Sequence, residues 1–201
     1  MTKTPIEFWF DFSSGYAYFA AAVIDDVAER HGRSVLWRPY MLGVAFKQTG
    51  ARGLSSTPMK GDYARHDWAR LSRKTGLRFN PPPNHPIVAL PASRAFYWIE
   101  QSDPDLARRY AKAVFQAYFA EAKDLTDPAA AAAVGAQLGI AQEDLEAGIA
   151  DDLVKSRLKH LCDEAIAKGV FGSPFFIVDG EPFWGWDRIP MIEEWLASGG
   201  W

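Results

Sequence analysis

Ile6-Glu7-Phe8-Trp9-Phe10-Asp11-Phe12-Ser13-Ser14-Gly15-Tyr16-Ala17-Tyr18 sets the reading of this chain. Ile6 to Phe12 is bulky and apolar except at Glu7 and Asp11, which predicts a buried strand, and Ser13-Ser14-Gly15 is turn chemistry. Tyr16, Phe19, Ala20, Val23, Ile24 and Val27 then recur at helical spacing as far as Gly32, so a strand meets a helix N-terminus near Ser14. Ser34 to Tyr40 has the composition of a second strand. Strand, helix and strand with a crossover of this length imply a parallel pair.

The other end of the chain completes the pattern. Phe175 to Val178 and Pro182 to Trp186 flank Asp179-Gly180, a hairpin signal, and Asp187 is placed to cap a last helix running to Ala197. Between the two ends, Lys47 to Pro58 reads as a loop. Helices are expected over Asp62 to Thr75, Leu90 to Glu100 (entered through Pro91), Asp105 to Glu121, Pro128 to Leu138 and Asp151 to Lys168. The alanine tract from Ala129 to Ala133 belongs to the fourth of these, because alanine is the best helix former and Val134 and Leu138 supply an apolar face. The order β-α-β, helical block, α-β-β-α is that of a thioredoxin-like α/β fold with an all-helical insertion. Residues 1–45 and 169–201 form the thioredoxin-like part, joined by part of the helix 151–168, and 46–168 the insertion.

Composition narrows the function. The 201 residues are 48% hydrophobic, enough for one sizeable core with an inserted subdomain. A net charge of -3 without a long basic run removes the electrostatic footprint of a nucleic-acid or anionic-membrane binder, so the expected partner is a small molecule. The start of the chain shows neither a signal peptide nor a span of about 20 apolar residues, and a cytoplasmic location is the expectation. A single cysteine, Cys162, excludes an intramolecular disulfide, a C-x-x-C redox pair and a cysteine zinc site. His31, His66, His85 and His160 show no metal-ligand spacing, and no metal site is expected.

Three stretches can carry chemistry, and each has a plainer use. A hydroxyl of Ser13 or Ser14 stands at a helix start beside unpaired amides, where it can hold an anion or simply cap the helix. In Gly169-Val170-Phe171-Gly172-Ser173-Pro174-Phe175-Phe176, a cis Ser173–Pro174 bond would turn the Ser173 NH and C=O toward an extended peptide. A trans bond, the commoner form, would only begin an edge strand. Phe183-Trp184-Gly185-Trp186-Asp187-Arg188 sets a carboxylate beside a guanidinium, either to grip the two charges of an amino acid or as a surface ion pair worth little.

Taken together, these stretches resemble the glutathione-dependent 2-hydroxychromene-2-carboxylate isomerases, relatives of the kappa-class glutathione transferases within the DsbA-like group. The family pattern D-x-x-S-P-x-S-Y falls on Asp11 to Tyr18, G-V-F-G-x-P-x-F on Gly169 to Phe176, and F-x-G-x-D-R on the stretch ending at Arg188. Phe119-Ala120-Glu121, Asp124-Leu125 and Asp127-Pro128 also resemble it. The resemblance implies Ser14 as the catalytic serine that donates to a glutathione sulfur, a cis bond at Pro174, and Ser173 pairing its backbone with the cysteinyl unit. It further implies Asp187 and Arg188 at the γ-glutamyl end, Lys60 near the glycyl carboxylate, and a homodimer. Four places depart from the pattern: Gly15 stands for its proline, Ala17 for its second serine, Ala51 for an asparagine, and His85 to Leu90 differ from its H-P-F-P-x-N.

The activity so implied is glutathione-dependent cis-trans isomerisation of an aromatic hemiketal acid by thiolate addition and elimination. Charge alone, apart from the resemblance, offers Lys47 or Arg52 as a partner for the substrate carboxylate. A kappa-like transferase or peroxidase and a non-catalytic thioredoxin-fold module are the rivals. Disulfide exchange is excluded, because Ser14 and Ala17 occupy both redox-cysteine positions and Cys162 belongs to a helix distant in sequence.

Overall fold

The computed structural model describes residues 4–201. Strand β1 (Ile6–Phe10) leads into α1 (Gly15–Ala21) and α2 (Ile24–Arg30), then β2 (Val35–Pro39) and α3 (Leu42–Thr49). The helical block follows: α4 (Lys60–Thr75), α5 (Leu90–Glu100), α6 (Pro104–Phe119), α7 (Pro128–Ala136), α8 (Gln142–Ala150) and α9 (Asp152–Ala167). Strands β3 (Phe175–Val178) and β4 (Glu181–Trp184) and the helix α10 (Ile189–Ser198) end the chain. The four-stranded sheet has the order β2-β1-β3-β4. β1 runs parallel to β2, with Phe8 opposite Trp37, and antiparallel to β3, with Phe8 opposite Phe176.

β1 is central and covered on both faces, hence its nearly unbroken apolar run. Its exception, Glu7, accepts from the indole of Trp9 and pairs with Lys168 at 2.7 Å. Phe8 stacks on Phe10 and on Phe176, and Phe10 and Phe12 both meet Phe115 of α6, with ring centroids 5.4 and 5.2 Å apart. The sheet and the helical block therefore share one aromatic core, and that shared core fixes how α6 sits over the β1–α1 turn. In the β3–β4 hairpin, Asp179 (φ 54) and Gly180 (φ 91) take the left-handed conformations that a two-residue turn requires.

Four expectations are corrected. The helix expected from Tyr16 to Gly32 breaks at Ala22–Val23, where Val23 leaves the helical region (φ -126) and the acidic pair Asp25 and Asp26 opens a new first turn. Lys47 lies in the last turn of α3 rather than in a loop, and Gly50 (φ 71) ends that helix. α8 was not foreseen: it is short, and it buries only Leu145, Gly148 and Ile149. Asp187 does not cap the last helix but sits in a 3₁₀ turn, Trp186–Arg188, because Gly185 (φ 112) stops β4 early and α10 starts only at Ile189. No helix of the described residues is long and apolar enough to cross a membrane.

Candidate active site

Ser14 is the N-cap of α1: its Oγ accepts from the amide of Ala17 at 3.3 Å, the capping use of the hydroxyl. The same hydroxyl donates to the carbonyl of Ser173 at 2.8 Å, across a separation of 159 residues. Its one proton is thus aimed at the Ser173 peptide. The Ser173–Pro174 bond is cis, and the segment around it is held by three separate elements. Tyr40 donates to the Gly172 carbonyl at 2.8 Å, the Asp11 amide donates to Ser173 Oγ at 2.8 Å, and the Gly185 amide donates to the Pro174 carbonyl at 3.0 Å.

The two serines have separate tasks. Ser13 gives its amide to Asp11 Oδ1 and takes the amide of Ile87 on its own Oγ at 3.0 Å, facing the helical block rather than Ser173. Asp11, 8% exposed, also accepts from the amide of Leu42 at 2.9 Å through its other oxygen. Burial raises its carboxyl above the ordinary range, and the amides of Ser13 and Leu42 oppose that rise. One buried carboxylate therefore ties the Ser13–Ser14 turn to the start of α3. An acidic residue inside an apolar strand was the signal for it, since Asp is almost never fully buried without partners.

Asp187 and Arg188 form an exposed ion pair at 2.6 Å, and Gly185 is the link that seats their turn against Pro174. Gly185 has φ 112, a conformation that favours glycine, and a Cβ there would push against Asp187 Oδ1 at 2.5 Å. Asp187 also faces the phenol of Tyr16 on α1, whose pKa is raised by burial, by a hydrogen bond to Asp67 and by nearby negative charge, that of Asp187 included. α1, the cis-proline segment and the 186–188 turn therefore converge on Ser14. Lys60 stands apart from these three: it opens α4, exposed, behind Met59 (φ 64), roughly 10 Å along the helix from Asp67. Lys47 and Arg52 are exposed on the segment leading toward it.

α4 reaches Ser14 by its other end. The indole of Trp68 lies so close to Gly15 that a Cβ there would sit 2.7 Å from Trp68 Cε2, and its Nε1 is buried without a hydrogen-bond partner. Residue 15 is thus a glycine because residue 68 is a tryptophan, a coupling across 53 positions that inspection of residue 15 alone misses. Trp68 also meets His85 edge to face at 5.5 Å. The thiol of Cys162 is nearer the site than its place in the sequence suggests, accepting from the Met41 amide at 3.4 Å. It is buried, and burial pushes its pKa up, the opposite of a reactive thiol. Among the described residues no group of three or more His, Cys, Asp or Glu could hold a metal ion.

A DSBA-like thioredoxin domain matches residues 5–197. The chain belongs to the DSBA-like thioredoxin family. Within this family it is similar to a 2-hydroxychromene-2-carboxylate isomerase of Sphingobium xenophagum, 25% identical over 98% of this chain and all of that one. It is equally similar to a glutathione S-transferase kappa 2 of Caenorhabditis elegans, 25% identical over 96% of this chain and 92% of that one. A solved 2-hydroxychromene-2-carboxylate isomerase superposes with a TM-score of 0.87 over 98% of this chain and 95% of its own, at 24% identity. At the start of α1 this chain carries Ser14 and Ala17, neither of them a thiol.

Proposed function

We propose that this protein is a glutathione-dependent isomerase of 2-hydroxychromene-2-carboxylate or a related aromatic hemiketal acid. The observation that carries the reading is the 2.8 Å hydrogen bond from Ser14 to the Ser173 carbonyl beside a cis proline. It sets the Ser14 hydroxyl against a peptide edge that an extended peptide can pair with. The names of the relatives support both halves of the reading, one an isomerase of this acid and one a glutathione transferase.

The residues present fit glutathione. Ser173 offers its backbone to the cysteinyl unit, and an incoming amide on its carbonyl releases the Ser14 proton for the sulfur. Asp187 and Arg188 offer opposite charges to the γ-glutamyl ammonium and carboxylate. Lys60, exposed at the start of α4, offers a cation to the glycyl carboxylate. Holding the thiol about 2 units below its ordinary pKa needs ~2.7 kcal/mol. A hydrogen bond to a charged acceptor contributes about 1.5–3 kcal/mol, and a helix terminus about 0.3–1 kcal/mol. α1 has only seven residues, so the hydroxyl is the larger contribution. Bound glutathione supplies a nucleophile that adds to the substrate, frees a double bond to rotate, and leaves unchanged. Serine serves this better than cysteine because it cannot trap the thiol as a mixed disulfide.

The test is the ultraviolet time course of 2-hydroxychromene-2-carboxylate with and without glutathione, for wild type and Ser14→Ala. Glutathione-dependent turnover that falls at least about tenfold in the variant supports the reading. Glutathione binding without turnover, together with conjugation of a simple electrophile, would replace it with the transferase activity named by the kappa relative.

A further inference from the structure

Tyr118 and His85 form a hydrogen-bonded pair beside Ser13, on the side of the Ser14 turn away from Ser173. Ser13 Oγ accepts from Ile87 N–H, which ties the segment after His85 to the turn. The phenol of Tyr118, 1% exposed on α6, neighbours both Ser13 and the Ile87 amide. Tyr118 Oη in turn lies 2.9 Å from His85 Nδ1. Burial, then the charge of Arg65, pushes the His85 pKa down to about 4, so the ring is neutral near pH 7 and one of its nitrogens has a lone pair to accept with. When the phenol donates to Nδ1, the imidazole carries its proton on Nε2.

Nδ1 faces a phenol in the core. Nε2 is on the opposite edge of the half-buried ring, where the structure records no partner for it among the described residues. Two contacts hold the ring relative to Ser14: the Ile87 amide, two residues beyond His85, which donates to Ser13 Oγ, and Trp68, which touches both Gly15 and the His85 ring. A neutral imidazole N–H held in place is a donor suited to an oxygen that becomes negative as a reaction proceeds.

We propose that the His85 Nε2–H donates to the oxygen of the second substrate that gains negative charge during reaction, and that Tyr118 and Ser13 are positioning residues, Tyr118 for its tautomer and Ser13 for the segment after it. This rests on the isomerase reading and adds a catalytic group to it. The substrate class it selects is an unsaturated aromatic acid with a carbonyl or hemiketal oxygen in conjugation with the attacked carbon.

The experiment measures glutathione affinity by calorimetry and kcat on 2-hydroxychromene-2-carboxylate for wild type, His85→Ala, His85→Gln and Tyr118→Phe. The imidazole tautomer is read from nitrogen NMR without substrate. The expected result is unchanged glutathione affinity throughout, with kcat about 100-fold lower in His85→Ala. His85→Gln, whose amide replaces the Nε2–H, returns to within about tenfold of wild type. The wild-type ring carries its proton on Nε2, and Tyr118→Phe shows a mixture of tautomers. Active wild type with His85→Ala within about twofold of it, or a ring protonated on Nδ1, overturns this proposal alone. Wild type that binds glutathione but turns nothing over overturns the isomerase reading and this proposal with it. A mere tether of the 80–89 loop predicts lower stability at unchanged kcat, and that result also overturns it.

Discussion

On the sheet side of Ser14 the polar groups are mostly backbone: the carbonyls of Gly172, Ser173 and Pro174 and the amides of Asp11 and Gly185. On the helical side they are side chains: Trp68 from α4, His85 from the loop before α5, and Tyr118 from α6. Backbone atoms recognise any extended peptide and tolerate changes of side chain around them. Side chains recognise one shape. The departures from the isomerase pattern fall accordingly: Gly15 and the stretch His85 to Leu90 belong to the helical side, while Pro174, Asp187 and Arg188 keep the pattern. The difference teaches that the two sides are free to change separately, the backbone side suited to an extended peptide and the side-chain side to one particular shape.

The largest effect expected from breaking this division is on the helical side. Trp68→Ala removes a buried indole and costs about 3–5 kcal/mol, and Gly15→Pro drives a ring into the same indole at a cost of about 1–3 kcal/mol. Proline itself suits the first helical position, so the two changes combined cost less than their sum. A double-mutant cycle by urea unfolding checks this; additive costs would show that Gly15 and Trp68 are not coupled. Next is Ser14→Ala, expected to lower glutathione-dependent turnover about 100-fold while costing only about 1 kcal/mol of stability as a lost cap. Turnover and unfolding measured on one preparation separate the two roles of the hydroxyl.

A smaller effect is expected at the sheet side's one charged element. Asp187→Asn should weaken glutathione binding about tenfold by calorimetry yet alter stability by less than about 0.5 kcal/mol, since the ion pair is exposed. The last is a difference of sign in the pH dependence of stability. His85 has a native pKa lowered to about 4 from an ordinary 6.5, so the unfolded chain binds more protons between those values. Its contribution is complete above pH 6.5 and is lost as pH falls toward 4. Asp11 has a raised native pKa, so the folded chain binds more protons, and its contribution falls as pH rises from the ordinary carboxylate value to the raised one. His85→Gln should flatten the first slope and Asp11→Asn the second, as read from urea midpoints across acidic pH.

The sheet side was legible in the sequence because each of its parts is a short contiguous motif. Strand-to-turn composition marks Ser14, a proline before a buried run marks Ser173, and Asp-Arg after the hairpin marks the last turn. What escaped were pairings between distant residues. Nothing local to Gly15 points to Trp68, and Ser13, Tyr118 and His85 belong to three elements whose apolar spacing records only that they face inward. The short helices α3 and α8 escaped for a related reason: eight or nine residues give too few turns for a period to stand out, and packing decides their conformation.

By itself the sequence determined the thioredoxin-like order of the strands and the longer helices, and the lack of a second thiol to pair with Cys162. Periodicity, turn chemistry and a count of one cysteine are properties of contiguous residues. Only the tertiary structure decided that Ser13 and Ser14 point to opposite sides, that Asp11 ties their turn to α3, and that the Ser173–Pro174 bond is cis. It alone brought Trp68, His85 and Tyr118 to one place, because their meeting depends on how α4, α5 and α6 settle on a shared aromatic core. That arrangement is fixed by packing across the whole molecule rather than by any stretch of it.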